Sequence, residues 1–432
     1  YYYVRGSYAG CSDSAAGTSP STAFCTIQKA ASLVAAGTVV FVGAGTYNVS
    51  STGGVIPTQG GTPGNPIVFV GDFDGAYTGD AGAVIVEGGA SAPAFDFTSR
   101  SHIHVYSFTI RNSANGITFN NTATTDSIGI RIENNTFTNI SDFAAINNEA
   151  GTDQSRNRDH IIRGNLIYNN TARAMILDRA DNVLVENNIV YSNGTDNIEI
   201  ISVAGTIHNN LIYKANTPRE GIDIRANGSA PTNLIISNNT IYQNRHGIEI
   251  IGGVGQSITV TIRDNIFKDN TQDGIMVTDT TGVTCQYSYN ILHNDAVTSC
   301  TDLGNNVTTD PLFVDADGAD NILGGTGGVD DQFQLSQIAS GQGSNSPGFD
   351  SGSQSAAAAG LDARTTRTDA VADAGTVDRG FHYPTAAFAN PSYSVGGFIP
   401  SAVRIEMTVQ AGQGKLQSTQ TFYGTAMLRG IY

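Results

Sequence analysis

One short motif recurs through the middle of the chain and limits what the chain can fold into. An apolar residue is followed three positions later by an asparagine, and further apolar residues come directly after it. The asparagines of the successive copies are Asn135, Asn165, Asn188, Asn210, Asn239, Asn265 and Asn290. Their spacings of 30, 23, 22, 29, 26 and 25 residues indicate a fixed core with insertions of variable length. Self-similarity at such periods is typical of a solenoid of stacked coils.

A second motif lies between the asparagine motifs and contributes another short strand to each repeat. Its isoleucines include Ile198, Ile222, Ile248 and Ile275. Strands this short are not stable as an isolated sheet, but they can pair in register with the coils above and below. We therefore expect the isoleucines to form one interior column. We expect the asparagines to mark the corners, because Asn tolerates left-handed backbone angles and can bond to the next coil.

The two ends of the chain differ from this repeat. Residues 26–37 begin with Thr26, end with Gly37 and carry apolar residues at helical spacing, which predicts a helix that plugs the N-terminal end of the solenoid. The predicted regions are an N-terminal strand and capping helix (1–50), β-helical coils (51–315), closing coils with a cap rich in Gly, Ser and Asp (316–384), and a β-strand tail (385–432). In the tail, alternating stretches at 403–409 and 416–422 predict a hairpin, or strands that pair with a neighbouring molecule.

Composition excludes several classes of partner. The formal net charge is −16, so the long-range field repels nucleic acid and anionic membranes. The sequence contains no apolar run long enough to span a bilayer, which predicts that the chain does not insert into a membrane. It starts with Tyr1, and we interpret it as a secreted form from which a signal peptide has been removed.

The four cysteines fall into two local pairs, Cys11 with Cys25 and Cys285 with Cys300. Two disulfides would each close a loop of about fifteen residues and stabilise the fold by about 3 kcal/mol. The alternative is four buried thiols. The spacing of the cysteines and histidines does not match a zinc site.

Several stretches resemble secreted bacterial proteins of the pectate-lyase-like superfamily. The matching stretches lie at 2–4, 26–30, 37–42, 45–47, 64–67, 310–314, 346–352 and 373–375. The resemblance covers about residues 1–383 and implies an all-β fold, the right-handed parallel β-helix. The hand is also the one that parallel crossover connections prefer. The superfamily includes lyases, hydrolases, epimerases, adhesins and proteins without known catalysis, so the resemblance implies a fold more than an activity.

The second motif also predicts a column of outward-facing residues, one from each coil. In order, the column reads Thr118, Ala145, Ile176, Glu199, Asp223, Glu249 and Met276. Three carboxylates on consecutive coils lie about 4.8 Å apart, and each contact costs about 1 kcal/mol in water and several times more at a shielded surface. A bound Ca²⁺ or nearby basic side chains could offset this repulsion. The residues expected to line the same face, three positions earlier, are Asp196, Glu220, His246 and Asp273.

One functional interpretation is a Ca²⁺-dependent polysaccharide lyase. Lyases of the resembled superfamily hold Ca²⁺ with carboxylates and use Lys or Arg as the base, and carried over, this implies Glu199, Asp223 and Glu249 as metal ligands. Arg225 or Lys214 would then be the base. The candidate substrate-binding residues are Arg219, Arg245 and His246. The chain departs from the pattern because no lysine follows Glu199 in its strand, and the paired Asp signatures of the galacturonan hydrolases are not visible.

These departures favour an extracellular or cell-surface structural or adhesive protein that self-associates through the 385–432 tail. In that interpretation the three carboxylates lie on a solvated face and pair with neighbouring arginines. The alternatives are the lyase and a non-catalytic glycan-binding module. Four tyrosines recur at matching places and are expected to form a packed ladder: Tyr168, Tyr191, Tyr213 and Tyr242.

Overall fold

The strands of residues 1–386 stack into a solenoid with three long sheets of twelve, ten and nine strands, which we call sheets A, B and C. The computed structural model describes residues 1–121, 125–149, 157–216, 219–227, 231–328 and 330–386, and the strand backbones of 393–394, 397–398, 405–407 and 420–422. The strands within each long sheet pair in parallel, and neighbours come from successive coils.

The strand bounds follow the repeat seen in the sequence. Sheet A contains Tyr2–Val4, Val39–Val42, Ile67–Gly71, Ile103–Tyr106, Arg131–Glu133, Ile161–Arg163, Val183–Glu186, Ala204–His208, Thr232–Ser237, Ile258–Arg263, Val283–Ser288 and Thr301–Asp302. Sheet B contains Gly45–Asn48, Val84–Gly89, Thr109–Ser113, Thr136–Ile140, Leu166–Tyr168, Ile189–Tyr191, Leu211–Tyr213, Thr240–Tyr242, Ile266–Lys268 and Ile291–His293. Sheet C contains Phe95–Asp96, Ile117–Thr118, Ala144–Asn148, Arg173–Asp178, Ile198–Ile201, Ile222–Arg225, Ile248–Ile251, Asp273–Asp279 and Ala296–Thr298.

The interior of the solenoid is one continuous apolar core. In sheet C, Ile198, Ile222, Ile248 and Ile275 pair directly from coil to coil, and all four are fully buried. The predicted interior column is therefore confirmed. Each buried isoleucine contributes about 1.5–3 kcal/mol relative to an exposed one, so stacking of like residues stabilises every coil against its neighbours.

A ladder of asparagines follows the corner between sheets A and B, as the sequence predicted. Asn188 Nδ2 donates to Asn210 Oδ1 at 2.9 Å, and Asn210 Nδ2 donates to Asn239 Oδ1 at 2.9 Å. Like bonds extend the ladder from Asn135 to Asn290. The left-handed backbone lies one residue earlier, at φ values between 51 and 61° in the middle coils. The residue before each ladder asparagine thus makes the bend in the backbone, and the asparagine itself bonds to the next coil.

The N-terminal end is closed by a helix, but the helix is shorter than predicted. Helix α1 spans Ile27–Ala31, and the Thr26 hydroxyl caps it by accepting from Lys29 N at 3.2 Å. Its buried face joins the solenoid core, which confirms the plug. The prediction that the helix continues to Gly37 is wrong, because Thr38 bonds back to Ala35 through its amide and its hydroxyl and turns the chain into the next strand.

Residues 310–386 run back over the outside of sheet B instead of adding coils. Their strands Phe313–Asp315, Gln332–Leu335, Arg364–Thr365 and Tyr383–Pro384 form two-stranded antiparallel sheets of their own. The second helix, α2, spans Ala356–Ala359, and short 3₁₀ helices lie at Pro20–Thr22, Ser50–Thr52 and Ile338–Ser340. Outside residues 310–386, one further two-stranded parallel sheet pairs Asn157–Arg158 with Ala180–Asp181. The predicted closing coils would extend sheets A, B or C. The described part of residues 310–386 does not extend them.

Residues 310–386 follow this path because the outer face of sheet B carries a strip of aromatic side chains. The rings of Tyr168 and Tyr191 stack at 5.2 Å and those of Tyr191 and Tyr213 at 4.9 Å, which confirms the packed tyrosine ladder. Phe333 lies 4.9 Å from the ring of Tyr213 and 5.6 Å from that of Tyr242. Covering this strip buries large apolar rings, each worth more than an aliphatic side chain.

Residues 378–383, which we call the strap, fasten this segment to the corner of the solenoid. Asn209 Nδ2 donates to His382 O at 2.9 Å, and His382 N donates to Asn209 Oδ1 at 2.7 Å. Asn238 Nδ2 donates to Asp378 O at 3.1 Å. Asn209 and Asn238 are left-handed corner residues, so their side chains point away from the core and are free to hold the strap.

Residues 387–432 form a separate compact unit. The strand Tyr393–Ser394 pairs with Gly397–Phe398, and Ile405–Met407 pairs with Gln420–Phe422, both antiparallel. The second pairing confirms the hairpin predicted for the tail. Strand addition to another molecule stays a prediction.

Both predicted disulfides are present. Cys11 is joined to Cys25 and Cys285 to Cys300, at sequence separations of 14 and 15 residues. Within the described part of the chain, helices that combine the length and hydrophobicity needed to cross a bilayer were not found.

Candidate functional site

The register of sheet C brings three carboxylates together on the outer face of the solenoid. Glu199 pairs with Asp223, and Asp223 pairs with Glu249, so the three residues lie on consecutive coils. We call them the acidic stripe. Their juxtaposition was predicted from the second sequence motif and is confirmed.

The predicted column is correct from Ile176 to Met276 but wrong one coil earlier. Asn147, not Ala145, pairs with Ile176 on one side and with Thr118 on the other. The larger Ile146 fills the interior position in that coil, and its neighbour Asn147 therefore points outward.

The acidic stripe is buried, and the interpretation of a solvated face is wrong. The exposed fraction is 4% for Glu199, 0% for Asp223 and 8% for Glu249. An unpaired charge at such positions costs several kcal/mol. Each carboxylate therefore needs a cation or a proton, and arginine side chains supply most of the cover.

Two arginines cover the first two carboxylates. Arg173 Nε lies 2.5 Å from Glu199 Oε2, and Arg225 Nη1 lies 3.8 Å from Glu199 Oε1. Arg225 also forms an ion pair with Asp223. The hydrogen bond to Asp223 raises the pKa of Arg225, with smaller contributions from the neighbouring carboxylates. Burial raises the pKa of Asp223 to about 6 despite this pairing.

A second polar row lies beside the acidic stripe, three positions earlier in the sequence of each coil. This flanking row consists of Arg173, Asp196, Glu220, His246 and Asp273. The last four were expected on this face. Arg173 was missed, although its offset from Ile176 equals that of Asp196 from Glu199 and would have identified it.

Glu220 has the most perturbed environment in the flanking row. It is buried, forms an ion pair with Arg245, and has ligand atoms within 4.8 Å of those of Asp196 and Asp223. Burial raises the pKa of Glu220 to about 8, and the hydrogen bond and charge of Asp196 add to the effect. These surroundings favour the protonated form of Glu220.

Glu249 is held in the opposite state. Thr278 Oγ1 donates to Glu249 Oε1 at 2.6 Å, and Arg245 Nη2 lies 3.0 Å from Glu249 Oε2. Burial opposes the charge, but the hydrogen bonds from Thr278 and Glu220 and the charges of His246 and Arg245 outweigh it, so the pKa of Glu249 lies below its ordinary value. Glu249 is therefore a carboxylate at neutral pH.

His246 completes this part of the site. Its Nδ1 lies 3.6 Å from Asp273 Oδ2, and burial lowers its pKa despite the nearby carboxylates. The ligand atoms of Glu220, His246 and Glu249 lie within 4.8 Å of one another. The site thus combines a protonated carboxyl, a carboxylate, an imidazole and an arginine.

The other predicted site residues lie elsewhere or act differently. Lys214 follows a strand of sheet B, and its Nζ donates to Leu323 O, so the structure does not bring it to the acidic stripe. The side chain of Arg219 is exposed, while its carbonyl accepts from Arg245 N at 2.8 Å. Arg245 and His246, predicted to bind substrate, lie in the site and contact its carboxylates.

Three parallel sheets wound from successive coils, around an interior of stacked isoleucines, define the architecture. Residues 94–260 match the family model described as right handed beta helix region. The chain is a right-handed parallel β-helix. The fold predicted from the sequence is confirmed.

Three solved structures illustrate the likeness of this β-helix to known proteins. The complex structure of XylC with xylose shares 13% identity over 67% of this chain and 75% of that chain, with a TM-score of 0.48. The rhamnogalacturonan lyase shares 17% over 73% and 90%, with a TM-score of 0.46. Pectate lyase Pel9A shares 17% over 88% and 96%, with a TM-score of 0.43. No curated protein sequence matches the chain.

At these identities the likeness concerns the fold alone. All three TM-scores are below 0.5, so these structures carry no conclusion about activity. Activity therefore has to be argued from the side chains of this β-helix.

The predicted Ca²⁺ ligands are paired with arginines, and Ca²⁺ binding by them stays a prediction. Arginine pairs with each of Glu199, Asp223 and Glu249, and Thr278 holds a second oxygen of Glu249. Ca²⁺ takes six to eight oxygen ligands, so an ion bound here would compete with these guanidinium groups for the carboxylate oxygens. In this β-helix, arginine offsets the repulsion within the acidic stripe.

Proposed function

We propose that the β-helix cleaves glycosidic bonds, with Glu220 as the general acid and Glu249 as the carboxylate. The observation that carries this proposal is the closeness of two buried carboxyl groups, Glu220 and Glu249, whose oxygens lie within 4.8 Å; burial raises the pKa of Glu220, and hydrogen bonds lower the pKa of Glu249. Pairs of carboxyl groups whose pKa values are driven apart by their surroundings are typical of glycosidase acid–base pairs. Arg245, which pairs with both groups, fixes their separation.

The proposed reaction uses these protonation states directly. Glu220 gives its proton to the glycosidic oxygen as the bond from the anomeric carbon to that oxygen breaks. Glu249 forms a bond to the same carbon, which its short distance from Glu220 favours over a water-mediated attack. Water then displaces Glu249 from the anomeric carbon and returns a proton to Glu220, so the enzyme is regenerated.

A lyase mechanism with the predicted base has less support. Arg225 is paired with Asp223 and its pKa is raised, so it holds its proton at neutral pH. Lys214 lies on another sheet. Removal of a proton beside a uronate needs a base that is free at the working pH.

The test is an activity screen on neutral and acidic glycans, with and without EDTA. Hydrolysis gives new reducing ends, whereas a lyase gives an unsaturated product that absorbs ultraviolet light. We expect hydrolysis that is insensitive to EDTA and falls at least about a hundredfold in Glu220→Gln, the usual scale for loss of a general acid.

Glu133→Gln is the matched control. Glu133 is a buried carboxyl on sheet A that pairs with arginine but lies outside the acidic stripe. Absence of new reducing ends on every glycan contradicts the proposal, and so does an equal loss in both variants. An EDTA-sensitive unsaturated product would establish the lyase instead.

A second candidate, an extracellular assembly role, is favoured by the tail. The hairpin of Ile405–Met407 and Gln420–Phe422 is a two-stranded sheet, and such hairpins are marginal unless further strands pair with them. The two disulfides favour an oxidising, extracellular compartment. Deletion of residues 385–432 should abolish filaments or clusters in electron micrographs, and unchanged assembly would exclude this role.

A further inference from the structure

The site on sheet C brings together more carboxyl groups than arginines within the described part of the chain. Its carboxyl groups come from the acidic stripe and the flanking row, and they are Asp196, Glu199, Glu220, Asp223, Glu249 and Asp273. The arginines that contact them are Arg173, Arg225 and Arg245. Even with a proton on Glu220, five carboxylates face three guanidinium groups, and a protonated His246 would still leave the carboxylates in excess. The site therefore keeps a negative charge.

Two of these arginines each hold two carboxyl groups of the protein. The contacts are Arg225 with Glu199 and Asp223, and Arg245 with Glu220 and Glu249. Paired contacts with an arginine are a common way for a protein to bind the carboxylate of a ligand. Here a carboxylate on the sugar would first have to displace a buried carboxyl group of the protein, and breaking a buried ion pair is strongly unfavourable.

The charge at the edge of the site does not reverse this balance. Arg219 precedes Glu220, and its side chain is exposed. Salt screens an exposed charge over about 8–10 Å, so Arg219 offsets little of the charge that is buried beside it. The formal net charge of the chain is −16, which also slows the approach of a polyanion. The local and the long-range field both disfavour an anionic glycan.

The hydroxyl groups of a neutral sugar suit the site better. A hydroxyl donates to a carboxylate, and such charge-assisted hydrogen bonds are about twice as strong as neutral ones. Asp273 and Glu249 keep 20% and 11% of their side-chain surface exposed. A neutral sugar can therefore hydrogen-bond to them without adding negative charge to the site.

We infer that the sugar units bound at this site are neutral and carry no uronate, sulfate or phosphate groups. The inference rests on the proposed cleavage of glycosidic bonds and adds the class of glycan to it. Selection against acidic glycans comes from repulsion, because a like charge placed beside the carboxylates weakens the complex with the wrong partner.

Three glycan backbones, each in a neutral and an acidic form, test this inference. The probes are cello-oligosaccharides and manno-oligosaccharides before and after oxidation of their primary alcohols to carboxylates, and oligogalacturonides with and without methyl esters. New reducing ends are measured at low and at high salt. For a backbone that is cleaved, kcat/KM on the neutral form should exceed that on the acidic form at least about tenfold at low salt, and the ratio should shrink at high salt. Methyl esterification of the oxidised sugars should restore cleavage, which separates charge from shape.

A substitution in the flanking row should change this ratio. Asp273→Asn keeps the size of the side chain and removes one negative charge, so the preference for the neutral form should narrow at least about threefold. Asp362→Asn is the matched control, because Asp362 is exposed and lies in the segment that covers sheet B rather than on sheet C. Its ratio should equal that of the unchanged chain.

The outcomes separate this inference from the function on which it rests. Equal cleavage of both forms, or faster cleavage of the acidic form, overturns the inference and leaves the proposed hydrolysis standing. Cleavage of acidic forms alone that EDTA abolishes also overturns it, since a metal ion would then bridge the carboxylates and the glycan. Absence of new reducing ends on every probe contradicts the proposed function and this inference together.

Discussion

Two outward-facing columns of this β-helix neutralise their carboxylates in different ways. In sheet A the column reads Tyr106, Glu133, Arg163, Glu186 and His208 from coil to coil. Arg163 lies 3.6 Å from Glu133 and 2.5 Å from Glu186, so charges alternate within the column. In sheet C the acidic stripe puts three carboxylates in succession.

The difference shows that the fold does not require like charges to be adjacent. An alternating column satisfies its charges with its own members, because opposite charges directly across neighbouring strands attract. The acidic stripe instead depends on arginines from the flanking row and on Arg225. The acidic stripe is the column whose own members do not balance its charge, and our proposed function uses it.

The largest expected effect compares arginine removal in the two columns. Arg163→Met removes the closest cation from Glu186 and leaves the buried Glu133 with Arg131 alone, at 4.0 Å, so it should lower the free energy of unfolding by about 3 kcal/mol. Arg225→Met should cost about 1 kcal/mol, because Arg225 is 44% exposed, Glu199 keeps Arg173, and Asp223, whose pKa burial raises to about 6, can take up a proton. Urea unfolding of both variants provides the measurement. Equal losses would break the comparison.

The next effect is a pH dependence specific to sheet C. The folded pKa of Glu220 is raised from 4.5 to about 8, so its contribution to stability is fully present below pH 4.5 and is lost as the pH rises through 8. We expect the free energy of unfolding to fall progressively between those limits. Unfolding measured across the range should show it in the unchanged chain, and Glu220→Gln should lack it. If this substitution left the pH dependence of unfolding unchanged, Glu220 would not be the general acid that we propose.

A smaller effect is expected at the centre of the stripe. Because burial already disfavours the charged form of Asp223, Asp223→Asn relieves repulsion with its neighbours while it loses the pair with Arg225. These changes oppose each other, and the free energy of unfolding should change by less than about 1 kcal/mol. Thermal unfolding is the check, and a loss comparable with that of Arg163→Met would show that the stripe is structural.

The smallest effect sharpens the assignment of Glu249. Thr278→Val removes the hydrogen bond at 2.6 Å that helps to hold Glu249 ionised. Stability should fall by about 1 kcal/mol, and the acid limb of the activity profile should move to higher pH. Rates measured against pH would reveal the shift. An unchanged acid limb would separate Glu249 from the reaction.

The sequence was sufficient to predict the columns in which every coil contributes the same kind of side chain at the same position. Ile198, Ile222, Ile248 and Ile275 could be aligned by eye, and the acidic stripe followed from them because strand side chains alternate. Ala145 was misplaced since two alanines and an isoleucine allow more than one inward register. Only side-chain size, which favours Ile146 inside, decides between them.

Features that depend on distant residues could not be predicted. Burial of the acidic stripe requires the reach and orientation of Arg173 and Arg245, and repeat spacing does not give rotamers. The path of residues 310–386 over sheet B depends on a fit between Phe333 and the tyrosine ladder. The segment carries no repeat, and its composition was compatible with a cap at the end of the solenoid.

The strap can dock only where consecutive coils, which are far from it in the sequence, are aligned. It bonds to Asn209 across 173 residues and to Asn238 across 140, and contacts between such distant parts of a chain form late, after the loop between them has closed. The strap's anchors exist only once the corner residues of consecutive coils are aligned. A coil out of register would displace Asn209 or Asn238, so we expect the strap to dock only on correctly wound coils.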